Sequence, residues 1–184
     1  IARFEYKFSR QSNITLNYSC RSVEPTLTQI LPFEVSTNRT LTTFGNPNLD
    51  PEFRHSMNLR FRSGDFQKGK SFFATVRAEL SQDKVVAMNR RFDQGNEGLF
   101  QEVGYINAED PVYNISSFYH LGRSFNEKTY NIMYGGGVSY NRTISFLNKE
   151  ATGGEFLKGI TNYTTFIPML FLRYNSSENL DINT

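Results

Sequence analysis

Apolar and polar residues alternate along most of this chain. Ala2, Phe4, Tyr6 and Phe8 interleave with Arg3, Glu5 and Lys7, and Ile14, Leu16, Tyr18 and Cys20 with Asn13, Thr15, Asn17, Ser19 and Arg21. Met57, Leu59 and Phe61 alternate with Asn58, Arg60 and Arg62. Farther on, Phe72, Ala74, Val76, Ala78 and Leu80 oppose Phe73, Thr75, Arg77, Glu79 and Ser81. A period of two is the signature of β-strands with one apolar and one polar face. The pattern predicts seven strands, over Ala2–Phe8, Asn13–Arg21, His55–Arg62, Ser71–Lys84, Val112–Gly122, Thr129–Asn141 and Asn162–Asn175, with an eighth beginning near Asn179.

The connections alternate in length. Ser9–Ser12, Ser63–Lys70, Arg123–Lys128 and Ser176–Glu178 are short, whereas Ser22–Arg54, Val85–Pro111 and Arg142–Thr161 are long. If the strands form a meander, every long connection falls at one end, as in a transmembrane β-barrel with short periplasmic turns and long extracellular loops. A half-exposed soluble sheet would alternate in the same way. Strand length favours the barrel: a tilted membrane-crossing strand needs roughly 9–11 residues, against about 5–6 for a globular one. Phe8, Tyr18, Tyr130, Tyr140, Tyr163 and Tyr174 recur near segment ends, where a membrane-interface girdle would lie. The chain opens and closes inside strand patterns, which points to a segment of a larger barrel, residues 1–184 forming one partial unit.

Composition adds limits rather than a function. With 17 Phe, 10 Tyr and no Trp, the chain suits strands. A net charge of +2 demands no nucleic-acid partner. The negative mean hydropathy is compatible with barrel strands, whose lumen faces are polar, and no apolar run is long enough for a membrane helix. One cysteine, Cys20, allows neither an intrachain disulfide nor a cysteine-based zinc site, and it lies in phase with apolar neighbours.

Two stretches depart from the pattern. Thr161–Asn175 is apolar in both phases and contains Pro168, which cannot donate to a ladder and favours an edge or a bulge. Gly135, Gly136 and Gly137 interrupt the sixth strand without the helix start or the Lys-Ser/Thr pair of a phosphate loop, so a bulge or a close approach is expected there. Catalytic constellations are absent. His55 and His120 have no metal-type partners at short spacing, and Glu24, Asp50, Glu52, Asp83, Glu109 and Asp110 read as solvated loop charge. Asn-x-Ser/Thr triplets at Asn13, Asn17, Asn38, Asn114, Asn141, Asn162 and Asn175 read as polar strand faces rather than glycosylation sites. The mixed-sign set Arg3, Glu5, Lys7, Arg21, Arg60, Arg62, Arg77 and Glu79 would line a hydrated lumen.

The segment Ser22–Arg54 contains Glu24-Pro25-Thr26-Leu27-Thr28-Gln29-Ile30-Leu31-Pro32 and then Gly45-Asn46-Pro47-Asn48-Leu49-Asp50-Pro51-Glu52. Asn46-Pro47 and Asp50-Pro51 initiate turns, each proline fixing its own φ and restricting its predecessor. They form a stiff double turn that returns the chain to the third strand without a helix. These stretches, with the strand His55–Phe61 that follows, resemble the outer-membrane barrel domain of TonB-dependent receptor-like proteins of the Bacteroidetes type. Asp50 stands where that family usually has lysine. The resemblance implies an all-β antiparallel meander of seven to eight long strands within a transmembrane barrel. It implies localisation in the outer membrane of a Gram-negative bacterium, no enzymatic activity and no cofactor. It also implies uptake of a bulky nutrient, with the lipid bilayer, the TonB system (through a plug and other parts outside this chain) and a surface lipoprotein as partners. The loop residues Gly45, Asn46, Pro47, Leu49, Pro51 and Glu52 would be structural or ligand-facing, and Arg60, Arg62, Arg77 and Glu79 would face the lumen. A soluble barrel or sandwich binding a small apolar ligand, or a surface adhesion module, are the alternatives.

Overall fold

The computed structural model describes residues 1–38, 40–65, 67–93, 99–126, 129–148, 156–177 and 180–183, with the backbone alone at 35–38, 92–93, 175–177 and 180–183. Twelve strands share one sheet: β1 (Ala2–Ser9), β2 (Ser12–Val23), β3 (Glu34–Asn38), β4 (Leu41–Phe44), β5 (Glu52–Asp65), β6 (Lys70–Gln82), β7 (Val85–Asp93), β8 (Leu99–Asn107), β9 (Val112–Phe125), β10 (Tyr130–Asn148), β11 (Phe156–Ser177) and β12 (Leu180–Asn183). The single helical turn among the described residues, α1 (Leu27–Ile30), is far too short to cross a membrane.

Eight of these strands, β1, β2, β5, β6, β9, β10, β11 and β12, pair antiparallel in sequence order. They are the eight segments that the alternation predicts, and they form the wall. The short connections from β1 to β2, β5 to β6 and β9 to β10 lie at one end, and the long connections at the other. The remaining strands are built from two of those long connections. Hairpin β7–β8 joins the outer stretch of β10 in parallel, Met88 opposite Phe146 and Asn89 opposite Leu147. Strand β4 of hairpin β3–β4 joins β8 in parallel at Leu41–Thr43. This ledge continues the sheet directly beyond the end of β9.

The expected loop Arg142–Thr161 is therefore mostly strand, since β10 runs to Asn148 and β11 starts at Phe156 in unbroken register. The charge at Arg142 marks the edge of an apolar band, and the alternation Ile144, Phe146 carries the strand past it. Likewise Val85–Pro111, expected as loop, contains β7 and β8. Nor do the three glycines form a bulge, because β10 pairs without a register shift from Tyr130 to Arg142 against β9. A Cβ at Gly135 would collide with the Tyr119 carbonyl oxygen, and one at Gly136 would lie 2.7 Å from the Ile167 carbonyl oxygen. The glycines allow both neighbouring backbones to approach. Opposite Gly136 lies Pro168, and β11 keeps its register with β10 through this pair, so the proline makes no bulge there.

Cross-strand register collects the alternating residues into rows. Phe4, Leu16, Leu59, Val76, Ser117, Val138 and Phe166 lie side by side, as do Tyr6, Ile14, Phe61, Ala74 and Tyr119. Among the described residues, charged groups on this face occur only at its two margins. Lys70 and Arg123 face each other near the short turns, with Arg123 opposite Ile132, while Arg142 stands opposite Tyr113 near the long loops. From Ile132 to Arg142 along β10 spans about 34 Å at ~3.4 Å per residue, or ~24 Å after a tilt of about 45°. That is the height of the apolar band of an outer-membrane barrel.

Aromatic rings cluster at both margins. Tyr113 and Tyr140 lie 5.8 Å apart near Arg142, and Tyr18 hydrogen-bonds His55 Nδ1 at 2.8 Å. Tyr130 and Tyr174 lie 5.1 Å apart at the other end, where Arg123 stacks over Phe125 at 4.8 Å. Tyr163, expected in the girdle, pairs with Asn141 and so belongs to the polar face, while Asn162, expected on the polar face, falls in the apolar phase opposite Arg142.

A sandwich would bury one set of faces in a core. Here Phe4, Tyr6, Phe166, Leu170 and Leu172 are exposed, and the only buried hydrophobic cluster among the described residues is Val86, Ala108, Val112 and Ile144, flanked by Ile106 and Phe146. It lies where the ledge meets the wall. Among the described residues the apolar face thus encloses no core, unlike the inner face of a sandwich.

Candidate functional site

The segment before β5 is held from several sides; its turn lies at Pro47–Asn48, and Asp50-Pro51, expected as a second turn, enters β5 without one. Thr26 is the N-cap of α1, and its N–H donates to Gln29 Oε1 at 2.8 Å. The Asn46 N–H donates to the Gln29 carbonyl at 2.6 Å, and Gly45 lies against the Leu31 backbone, leaving no room for a Cβ. Asn46 then closes an Asx turn by accepting from the Asn48 N–H at 3.0 Å, while its own amide donates to the Tyr105 carbonyl of β8 at 3.1 Å. Pro47 is exposed, and Leu49 and Pro51 are half-buried.

Asn107, at the end of β8, accepts from the Asp50 N–H at 2.9 Å and donates to the carbonyls of Asp50 and Asp83. One side chain thereby joins the loop before β5 to the loop after β6. Asp83 takes a left-handed φ of 52°, a conformation Asp tolerates better than most residues.

Glu52 was expected as solvated loop charge. It is instead buried, at 6% relative exposure, because β5 begins at Glu52, three residues before the expected strand His55–Arg62, and draws it into the ladder opposite Val23. Its Oε1 accepts from Arg54 Nε at 3.0 Å, from Arg54 Nη2 at 2.8 Å and from Ser81 Oγ at 2.8 Å. Arg54 also lies 3.5 Å from Glu79. A buried carboxylate needs such partners. Sequence reasoning missed Arg54 and Asn107; the parity of Arg54 with Glu52, Arg60 and Arg62 was the available signal.

Arg60, Arg62, Arg77 and Glu79 fall on one face of the sheet, that of Asn58 and Thr75. Register places Arg77 opposite Asn58, Glu79 opposite Ser56, Arg60 opposite Thr75 and Arg62 opposite Phe73. Among the described residues Glu79 alone of the four has an ion partner. Lys158 of β11 hydrogen-bonds Asp110 in the β8–β9 connection, and this contact holds the Asp110 carboxyl below the usual carboxylate range. Arg90 stacks over Phe156 at 5.3 Å, and Asn148 binds both the N–H and the carbonyl of Arg91, fastening β7 to β10. Among the described residues no cluster of His, Cys, Asp or Glu has the makings of a metal site.

This arrangement, a wall with a charge-free band on one face, a polar opposite face and ordered loops at one end, matches known proteins at two levels. A family model described as "Outer membrane protein beta-barrel family" matches residues 2–126. The crystal structure of the siderophore receptor PirA from Pseudomonas aeruginosa superposes with a TM-score of 0.53 at 16% identity, over 98% of this chain and 36% of the receptor. The chain thus spans about a third of that receptor's length, and the likeness is one of fold. No curated protein matches the sequence. The matched region covers β1 to the end of β9 and so most of the described wall: the chain belongs to the outer membrane protein β-barrel family.

Proposed function

We propose that this chain supplies wall strands and an ordered outer rim to a TonB-dependent outer-membrane receptor that takes up a bulky nutrient. The observation that carries the reading is the charge-free band about 24 Å high on one face, opposite a face of Arg, Asn, Ser and Thr. In the assembled barrel Arg60, Arg62, Arg77 and Glu79 face the lumen. The ledge β3–β4–β7–β8 stands at the cell surface, with Gly45–Glu52 as the brace beneath it. The siderophore receptor of similar fold supports a transport role without naming the solute. A plug domain, the TonB contact and a surface lipoprotein partner belong to parts of the assembly beyond these strands.

Growth tests this reading. Cells lacking the full-length protein are compared with the parent on a panel of ferric chelates and oligosaccharides as sole iron or carbon source. The reading expects loss of growth on at least one compound and the same loss when TonB is deleted. Equal growth on every compound, or uptake that persists without TonB, would count against it.

A further inference from the structure

At its short-turn margin the apolar face sets two cations against each other. Lys70 of β6 and Arg123 of β9 are direct register partners, with Asp65 of β5 on one side of the pair and Ile132 of β10 on the other. Like charges directly opposite on a ladder destabilise it. Asp65 does not relieve them, because its carboxylate takes Lys68 Nζ at 3.3 Å and the Lys68 N–H at 3.1 Å. Among the described residues the Lys70 ammonium has no partner, and Arg123 meets only the Phe125 ring, 4.8 Å from its guanidinium carbon. That stack covers one face of the guanidinium and leaves its N–H edges free.

A groove of about 560 Å³ opens at this pair, and both cations line it. The next row into the band places Phe72, Leu121 and Tyr134 side by side along the same groove. Cations thus stand at the water-facing end and hydrocarbon at the inner end. The strands that build the groove, β5, β6, β9 and β10, are each paired on both sides, so the groove is complete within this chain.

A free inorganic anion needs no apolar wall, and an acyl chain alone needs no cations. An anionic phospholipid carries both parts in the order the groove presents them, a phosphodiester level with Lys70 and Arg123 and chains along Phe72, Leu121 and Tyr134. The short turns mark the periplasmic end of a barrel, where the leaflet is phospholipid. With Asp65 committed to Lys68, the groove keeps no free carboxylate for the ammonium of a zwitterionic headgroup. We propose that Lys70 and Arg123 form a headgroup clamp on the outer surface of the wall that holds one phosphatidylglycerol of the periplasmic leaflet. The clamp rests on the reading that this face meets lipid.

The test uses the full-length protein with a bimane label at Ala74→Cys as its single cysteine, refolded into phosphatidylcholine vesicles doped with phosphatidylglycerol. Ala74 lies one row farther into the band, between Phe61 and Tyr119, and takes no part in the clamp. Brominated chains are placed on one lipid or the other, and quenching reads the share of each beside the label. Phosphatidylglycerol is expected to be enriched there about fivefold or more over its share of the vesicle, and to fall to parity when Lys70→Gln and Arg123→Gln are combined. Arg142→Gln removes a cation from the same face at the other margin and is expected to leave the enrichment unchanged. Should the double variant fail to fold, judged by heat-modifiable gel migration, Arg123→Lys replaces it; it keeps the charge, loses the fork and is expected to lower the enrichment about twofold or more. Quenching by the two lipids in proportion to their shares, enrichment that survives the double variant, equal loss in Arg142→Gln, or equal enrichment of phosphatidylethanolamine overturns the clamp. A label that neither brominated lipid quenches fails the lipid-facing reading instead.

Discussion

Glu52 makes the account's most sharply quantitative demand on stability. Glu52→Ala removes three hydrogen bonds to a charged acceptor, two from Arg54 and one from Ser81. Breaking a buried pair from one side costs about 3–5 kcal/mol, because the other charge is left without its partner. Arg54 is a quarter exposed and keeps Glu79 at 3.5 Å, so the low end applies, about 3 kcal/mol. Ser81, at 4% exposure, then holds a hydroxyl with no acceptor. Ser81→Ala alone removes one bond to a carboxylate, worth about 1.5–3 kcal/mol. In a Glu52→Ala background the same change removes an unsatisfied group and is expected to be neutral or to stabilise by about 1 kcal/mol. The assay is denaturant unfolding of the full-length protein in micelles for the wild type, both single variants and the double variant, read as a double-mutant cycle. If Ser81→Ala costs the same in both backgrounds, the buried network does not exist.

Further outcomes follow from geometry. An arginine at Leu59, in the middle row of the apolar band, should cost about 2–4 kcal/mol of barrel stability, and one at Leu80, level with Tyr113, about 0–1 kcal/mol, by the same unfolding assay. Gly135→Val should prevent assembly of heat-modifiable barrel, since its Cβ meets the Tyr119 carbonyl, whereas Gly137→Ala, whose nearest neighbour is 3.4 Å away, should assemble. The lowered pKa of Asp110 means that the Lys158 contact contributes fully above the ordinary carboxylate pKa and is lost only as pH falls through the lowered value. Amide exchange in β11 near Lys158 should therefore stay slow in mild acid and quicken in strong acid, a pH response that Lys158→Gln abolishes.

The wall was legible in the sequence because membrane and lumen impose opposite solvents on alternate residues. Leu16, Leu59 and Val76 could be placed in one phase without any knowledge of their neighbours. The ledge was not legible. Strands β7 and β8 satisfy a solvated outer region, so Val85–Asp93 mixes Val86 and Met88 with Asn89, Arg90 and Arg91, and no two-solvent pattern marks it. Its parallel contacts with β10 and β4 join segments far apart in the chain, which turn residues cannot signal. The residues Gly45, Asn46 and Pro47 could be read as a rigid turn from their own conformational limits. Glu52 could not, since its burial depends on Arg54 and on Ser81 of the next strand.

The central claim is that one face of this sheet meets lipid and the other water. Single cysteines at Thr75, Val76, Arg77 and Ala78 of β6, introduced one at a time into a Cys20→Ser background of the full-length protein in native membranes, test it most directly. Each is assayed with a membrane-impermeant thiol reagent and with a bilayer-soluble quencher after fluorescent labelling in the unfolded state and refolding into liposomes. The account predicts quenching by lipid at Val76 and Ala78 and water accessibility at Thr75 and Arg77. The opposite phase, or water at all four positions, would contradict it.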